Sequence, residues 1–344
     1  MRNIVRRLGL SAAVIAVSAT LFAPQVASAA SYIYRPSLVK AVGGVSFTPA
    51  GTNPFSPNGL RVAGRSGDQA AVYDLRSKTV TLLGSLVDTV NTSFSYATDV
   101  NDLGDAIGVR NVEGGYQGWF LPAGSTKVMA AAADVKVSMI YNNVSLTSIN
   151  NAKQIVGNES WGSQSFLWDP VSGTSSHLPL LPNSTWLAHA INTAGLIVGS
   201  GVDVSGPVLY DSAAQRFIDL PSSLASATVR DVNEKGLVVG TAYDAVRGGY
   251  VFSYSVRTKK VKRLAGSYGL DRQMVSKTGI IVGSDWSTKQ PLVWKDCAKT
   301  RFTALGLPSD EKFGVLYGVD GRGAIWAEYG GQTVRWQRTP RCGT

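Results

Sequence analysis

Histidine and cysteine are almost missing from this chain: its 344 residues include two of each. With only His177 and His189, an imidazole-built metal centre is not expected, and a His-based catalytic triad would have to use His189. A lone histidine in a repeated strand is more often structural than catalytic. The nucleophile elbow G-x-S-x-G, the phosphate loop G-x-x-x-x-G-K and the zinc helix H-E-x-x-H are all absent. No cofactor is therefore expected. Beyond residue 30 there is no long apolar run, so the mature chain should carry no transmembrane segment. A sustained helical period is missing there too.

The one long apolar stretch is at the start. Arg2, Arg6 and Arg7 precede a mostly apolar Leu8–Ala23, and Ala27-Ser28-Ala29 offers a small-x-small cleavage site. Residues 1–30 read as a signal peptide cut near Ala29, and residues 31–344 as the mature domain, secreted or periplasmic. The net charge of +10 falls to +7 once those three arginines are removed. Basic residues cluster once, at Arg257, Lys259, Lys260, Lys262 and Arg263. Without interleaved aromatics this looks like a lysine-guarded strand edge, so no nucleic acid partner is expected. In an exported protein the two cysteines, Cys297 and Cys342, are expected to form a disulfide.

What is abundant is a repeated phrase. Its clearest copy is Ala190-Ile191-Asn192-Thr193-Ala194-Gly195-Leu196-Ile197-Val198-Gly199. Copies close at positions 64, 108, 157, 199, 240, 283 and 327, in steps of 44, 49, 42, 41, 43 and 44. A period in this range means a solenoid, propeller or array. Each copy reads as strand, Asn-x-x-Gly turn, then a wholly apolar strand suited to burial between two sheets. An aromatic strand follows, such as Phe166-Leu167-Trp168, and then a weaker fourth, such as Thr79–Leu83, Arg216–Leu220 or Arg301–Leu305. Four short strands per repeat give an all-β fold: a single β-propeller of about seven four-stranded blades. The last repeat lacks a fourth strand, and Tyr32–Val45 is predicted to supply it, closing the ring and removing open edges. A count of six remains open at this stage, because Pro57 and Leu60 hold turn positions of the first copy. Lys153 likewise stands where glycine is expected in the third.

The phrase A-x-x-I-N-x-x-G-x-I-V-G, best matched at Ala188–Gly199 and well matched at Thr147–Gly157 and Val229–Gly240, resembles the bacterial extracellular repeats called the HAF family. The resemblance spans nearly the whole mature chain. It implies a secreted propeller and brings no catalytic signature.

The loops after the closing residues should emerge on one face of the disc. They hold Asp68, Glu159, Trp161, Asp203, Tyr243, Asp244, Asp285, Trp286, Glu328 and Tyr329. Exposed aromatic faces and carboxylates suit sugar recognition, and Trp161, Asp203, Tyr243, Asp244, Asp285, Trp286 and Tyr329 are the candidate ligand-binding residues. Turn composition alone would also place Asp, Ser and Gly in such loops. A pair of those carboxylates, Asp244 and Asp285, could act in glycoside cleavage. Asp99-x-Asn101-Asp102-x-Gly104-Asp105 resembles the start of a calcium loop, but the downstream Glu is absent and the hairpin turn explains the same residues. The reading is therefore a monomeric, exported, non-enzymatic binding or scaffold protein facing a glycan or an extracellular protein. A polysaccharide-acting hydrolase or lyase and a structural part of an envelope assembly are the alternatives.

Overall fold

The computed structural model describes residues 32–340 except 41–43, 84–93, 113–114, 126, 131–143, 160–163, 203–205, 247, 269, 286–290, 296–297 and 301–311. The described residues form seven four-stranded antiparallel sheets. Six are contiguous in sequence: residues 48–82, 95–130, 144–177, 186–217, 228–268 and 270–300, here blades 1 to 6. Blade 7 combines three strands from residues 313–340 with Tyr32–Leu38, which pairs antiparallel with Gln332–Pro340 from Tyr32↔Pro340 to Leu38↔Val334. The N-terminal strand thus completes the last blade as the sequence predicts. Tyr34 buries its ring in the same cluster as Val334 and Trp336.

The first strand of each blade lies innermost, and from blade 2 to blade 7 successive first strands touch one another around the axis. The second and third strands carry the packing. Ile197, Val198, Ile107, Val156 and Trp168 are fully buried between blades, which accounts for the wholly apolar second strand of the repeat. The closing glycine answers to space. A Cβ on Gly199 would overlap the Leu187 carbonyl oxygen, and one on Gly108 would overlap the Tyr96 carbonyl and the Trp119 ring.

The asparagine of the phrase does two jobs. Its Oδ1 accepts main-chain N–H groups within its own turn, as Asn101 does from Leu103, Gly104 and Asp105. Its Nδ2 donates to the carbonyl at the same position in the next blade. Asn101 reaches Asn150 O at 3.2 Å, Asn150 reaches Asn192 O at 2.9 Å, Asn192 reaches Asn233 O at 3.1 Å, and Asn233 reaches Ser276 O at 2.9 Å. These four clasps tie blades 2 to 6 together on the face of the A–B turns, the turns between the first and second strands of each blade.

The degenerate first copy is a real hairpin. Ser56 stands in for the asparagine, its hydroxyl accepting from Leu60 N and Arg61 N, so the ring has seven blades. Lys153 adopts the left-handed φ of +65° that the glycines take elsewhere in the series, and its Nζ lies 3.4 Å from the buried Asp105 carboxylate. In blade 6 the fourth strand is Ala298–Thr300, ahead of the Arg301–Leu305 expected, which lies outside the described residues. The basic cluster falls on the turn into, and along, Lys260–Tyr268, the outer strand of blade 5, as an edge-guarding role requires.

Candidate functional site

Each inner strand from blade 2 to blade 7 breaks register with its neighbour near the middle. The breaks lie between Ala97 and Asp99, Leu146 and Ser148, Ala188 and Ala190, Val229 and Asp231, Asp271 and Met274, and Leu316 and Gly318. A β-bulge inserts an extra residue and re-aims side chains. Here the extra residues are Thr98, Thr147, His189, Arg230, the Arg272-Gln273 pair and Tyr317, at one level of the ring.

The bulges divide an axial channel into two parts. On the side of the A–B turns is a narrow throat of about 50 Å³, lined by residues from all seven blades, including Asn53, Asp99, Ser148, Asp231 and Ser276. Asp99 accepts from Val100 N at 2.7 Å, Ile149 N at 2.9 Å and Ser148 Oγ at 3.1 Å. Asp231 accepts from Val232 N and Val275 N, both at 2.8 Å, and from Asn53 Nδ2 at 3.3 Å. Each carboxyl therefore joins its own blade to the next. Burial nevertheless pushes both up, Asp99 to about 8 and Asp231 to about 7. This space admits a water or two and no sugar ring.

On the opposite side the channel widens into a mouth of about 560 Å³, within the usual range for a ligand site. Blades 1, 2, 3, 5 and 6 contribute to it. Arg230 and Arg272 are both exposed there, beside Thr98, Thr147 and Tyr96. Arg272 holds a φ of +45°, a costly conformation for a long side chain, and its Nη1 lies 3.5 Å from the Leu316 carbonyl of blade 7. Arg230 has no hydrogen bond or ion pair to any described residue. No described carboxylate lines this mouth. His189 sits at the same level in blade 4, half-buried, with Nε2 unpartnered among the described residues. Burial, and secondarily Arg230, lowers it to about 4, so it is neutral at pH 7.

The strand ends that precede the loops after the closing residues lie towards the mouth side: Ser95, next to the mouth-lining Tyr96, pairs with Arg110 at such an end. Of the candidate residues those loops carry, the described side chains of Tyr243, Asp244 and Tyr329 do not converge. Tyr243 is 71% exposed at a hairpin tip. Asp244 accepts from Val246 N and from Arg263 Nη1 at 2.9 Å, and the Arg263 guanidinium lies 3.9 Å from the centre of the Tyr250 ring. That pairing turns Asp244 towards the outer strand of its own blade. Tyr329, expected to be exposed, is buried: its strand turns it into the blade 7 core, edge-on to Phe313 with ring centres 5.0 Å apart. Glu159 pairs with His177 at 2.7 Å. Trp161, Asp203, Trp286, Cys297 and Cys342 lie outside the described residues, as does the side chain of Asp285. In the calcium-like segment the oxygens of Asp105 and Asp102 are taken by turn and inter-blade partners, among them Ala123 N, Asn58 N and Asn151 Nδ2.

The bulge residues carry one signal in the sequence: a polar or charged residue, His189 or Arg230, inside the first strand of the phrase and between buried neighbours.

No protein-family model matches the sequence, and no curated protein sequence matches it. The fold does have solved counterparts. A streptogramin B lyase superposes with a TM-score of 0.60 at 12% identity, covering 89% of this chain and 98% of that one. An oligogalacturonate lyase in complex with manganese gives 0.57 at 10%, covering 89% and 97%. A catalytically inactive virginiamycin B lyase from Staphylococcus aureus, with quinupristin, gives 0.58 at 7%, covering 88% and 98%. At these identities the likeness is one of fold.

Proposed function

We propose that this chain is an exported, non-enzymatic binding protein that presents the mouth side of its propeller to a glycan or an extracellular protein. The observation that carries this reading is the axial mouth of about 560 Å³, whose wall includes the polar and charged bulge residues Thr98, Thr147, Arg230 and Arg272. The N-terminal segment and the resemblance to HAF repeats support export. The sequence carries no nucleophile-elbow, phosphate-loop or zinc-helix motif.

A carboxylate-dependent hydrolase or lyase using Asp244 and Asp285 is the competing reading. The three lyases above share the fold, and their names describe their own chemistry. The ion pair between Asp244 and Arg263 speaks against a free catalytic carboxylate at that position. The discriminating experiment screens the folded, processed protein on a glycan array and, for any sugar bound, follows turnover. Binding without turnover supports the proposal. Turnover lost in Asp244→Asn or Asp285→Asn with binding retained would replace it by the enzyme reading, and no sugar bound would move the case to a protein partner.

A further inference from the structure

The mouth has a definite chemistry. Two guanidinium groups, Arg230 from blade 5 and Arg272 from blade 6, stand in one concavity whose described lining contains no carboxylate. Guanidinium is a planar donor fork that matches carboxylate in bidentate geometry. Around it are hydroxyls, Thr98 and Thr147, each already donating to a carbonyl of the next blade: Thr98 Oγ1 to Leu146 O at 3.0 Å and Thr147 Oγ1 to Ala188 O at 3.2 Å. The part-exposed Thr147 oxygen is thereby left to accept from a ligand's hydroxyls, while Thr98 is buried beneath the wall. The Tyr96 ring supplies an aromatic surface, and the volume suits one or two sugar rings. Arg272 occupies a backbone conformation that folding alone disfavours in a long side chain, and such outliers cluster at ligand sites.

We propose that the axial mouth is a binding site for a carboxylate-bearing saccharide, a uronate oligomer, held through its carboxylates by Arg230 and Arg272 and through its hydroxyls by the bulge residue Thr147. This deepens the binding-protein reading and rests on it. An acidic peptide offers the same charge, but the hydroxyl lining and the aromatic wall favour a saccharide.

The test is calorimetric titration of the folded mature protein with galacturonate, glucuronate and mannuronate oligomers, with their methyl esters of equal length, and with oligoglutamate. Arg230→Gln removes an exposed charge. Arg272→Asn removes the other while keeping a residue that tolerates the left-handed backbone, and thermal melts confirm that both variants fold. The proposal expects one uronate oligomer to bind, its ester to bind at least about tenfold more weakly, each arginine variant to lose about tenfold or more, and affinity to fall steeply with salt. Equal binding of acid and ester, unaffected by the arginine variants, would overturn the role of charge while leaving the binding face intact. Binding of oligoglutamate alone would overturn the saccharide class. Failure of every probe would overturn the inference, and the glycan array would still decide the broader reading separately.

Discussion

At the residue scale, the asparagine of the phrase is explained by its two-sided hydrogen bonding. Asn192 is almost fully buried, its Oδ1 accepts from Leu196 N at 3.0 Å, and its Nδ2 donates across the blade boundary. Asn192→Asp keeps the turn acceptor but sets an oxygen against the Asn233 carbonyl. The expected cost is about 1–3 kcal/mol of unfolding free energy, read by chemical denaturation, because a buried acceptor is left facing another acceptor. Asn192→Ser should fall between the two, since Ser56 already serves the turn in blade 1. Gly199→Ala is a separate case. Its new methyl meets main-chain oxygen, which cannot yield as a side chain could, so a loss of about 3 kcal/mol or a failure to fold is expected. A silent Gly199→Ala would show that the closing glycine answers to something other than space.

At the element scale, the closing strand and the bulges matter most. Tyr32–Leu38 covers Gln332–Pro340 from Val334 to Pro340, and without it blade 7 would expose a long unpaired edge. Removing residues 32–38 should lower the melting temperature and cause concentration-dependent association, measured by light scattering. A monomeric truncated protein with an unchanged melt would refute closure by this strand. This element was legible in the sequence because a fourth strand was missing at one end and an apolar segment was spare at the other. The bulges were not legible. Period-2 reasoning assigns alternate residues to opposite faces, whereas an inserted residue such as Thr98 or Arg230 breaks the alternation without any glycine or proline to mark it. Tyr329 failed for a related reason. As the last residue of its strand it looked like loop, yet it pairs with Gln332 and packs inward. The fourth strand of blade 6 was placed late because Phe302 and Leu305 gave an apolar signal that Ala298–Thr300 lacks.

At the scale of the whole molecule, the ring brings to one axis residues far apart in sequence. Asp99 and Asp231 are 132 positions apart and share one throat. This arrangement makes stability depend on pH. Both carboxyls are raised by burial above the ordinary 3.8, so the folded state holds protons that the unfolded chain has released. Their contribution is fully present below about pH 4 and is lost as pH rises through about 7 and 8. His189, lowered to about 4, acts in the opposite sense only below its ordinary 6.5. Between pH 6.5 and about 7, then, the unfolding free energy should fall by up to about 1.4 kcal/mol per pH unit for each carboxyl, and from there to about 8 for Asp99 alone. Asp99→Asn with Asp231→Asn should flatten that slope, whatever it does to absolute stability. An unchanged slope in the double variant would mean that both carboxyls are ionised in the folded protein.

The period announced seven copies of one hairpin, and hence the disc, its closure and the face on which the loops open. The axial mouth appears only when the bulges of four blades meet around it. The most direct test of its role is a filled mouth. Ser145 is exposed on the mouth wall, and Ser145→Trp would occupy much of the cavity without disturbing the buried inter-blade contacts. The account predicts that a saccharide bound by the native protein is lost on Ser145→Trp while the melt is unchanged. Full binding by the filled variant would contradict it and place the ligand elsewhere on the disc.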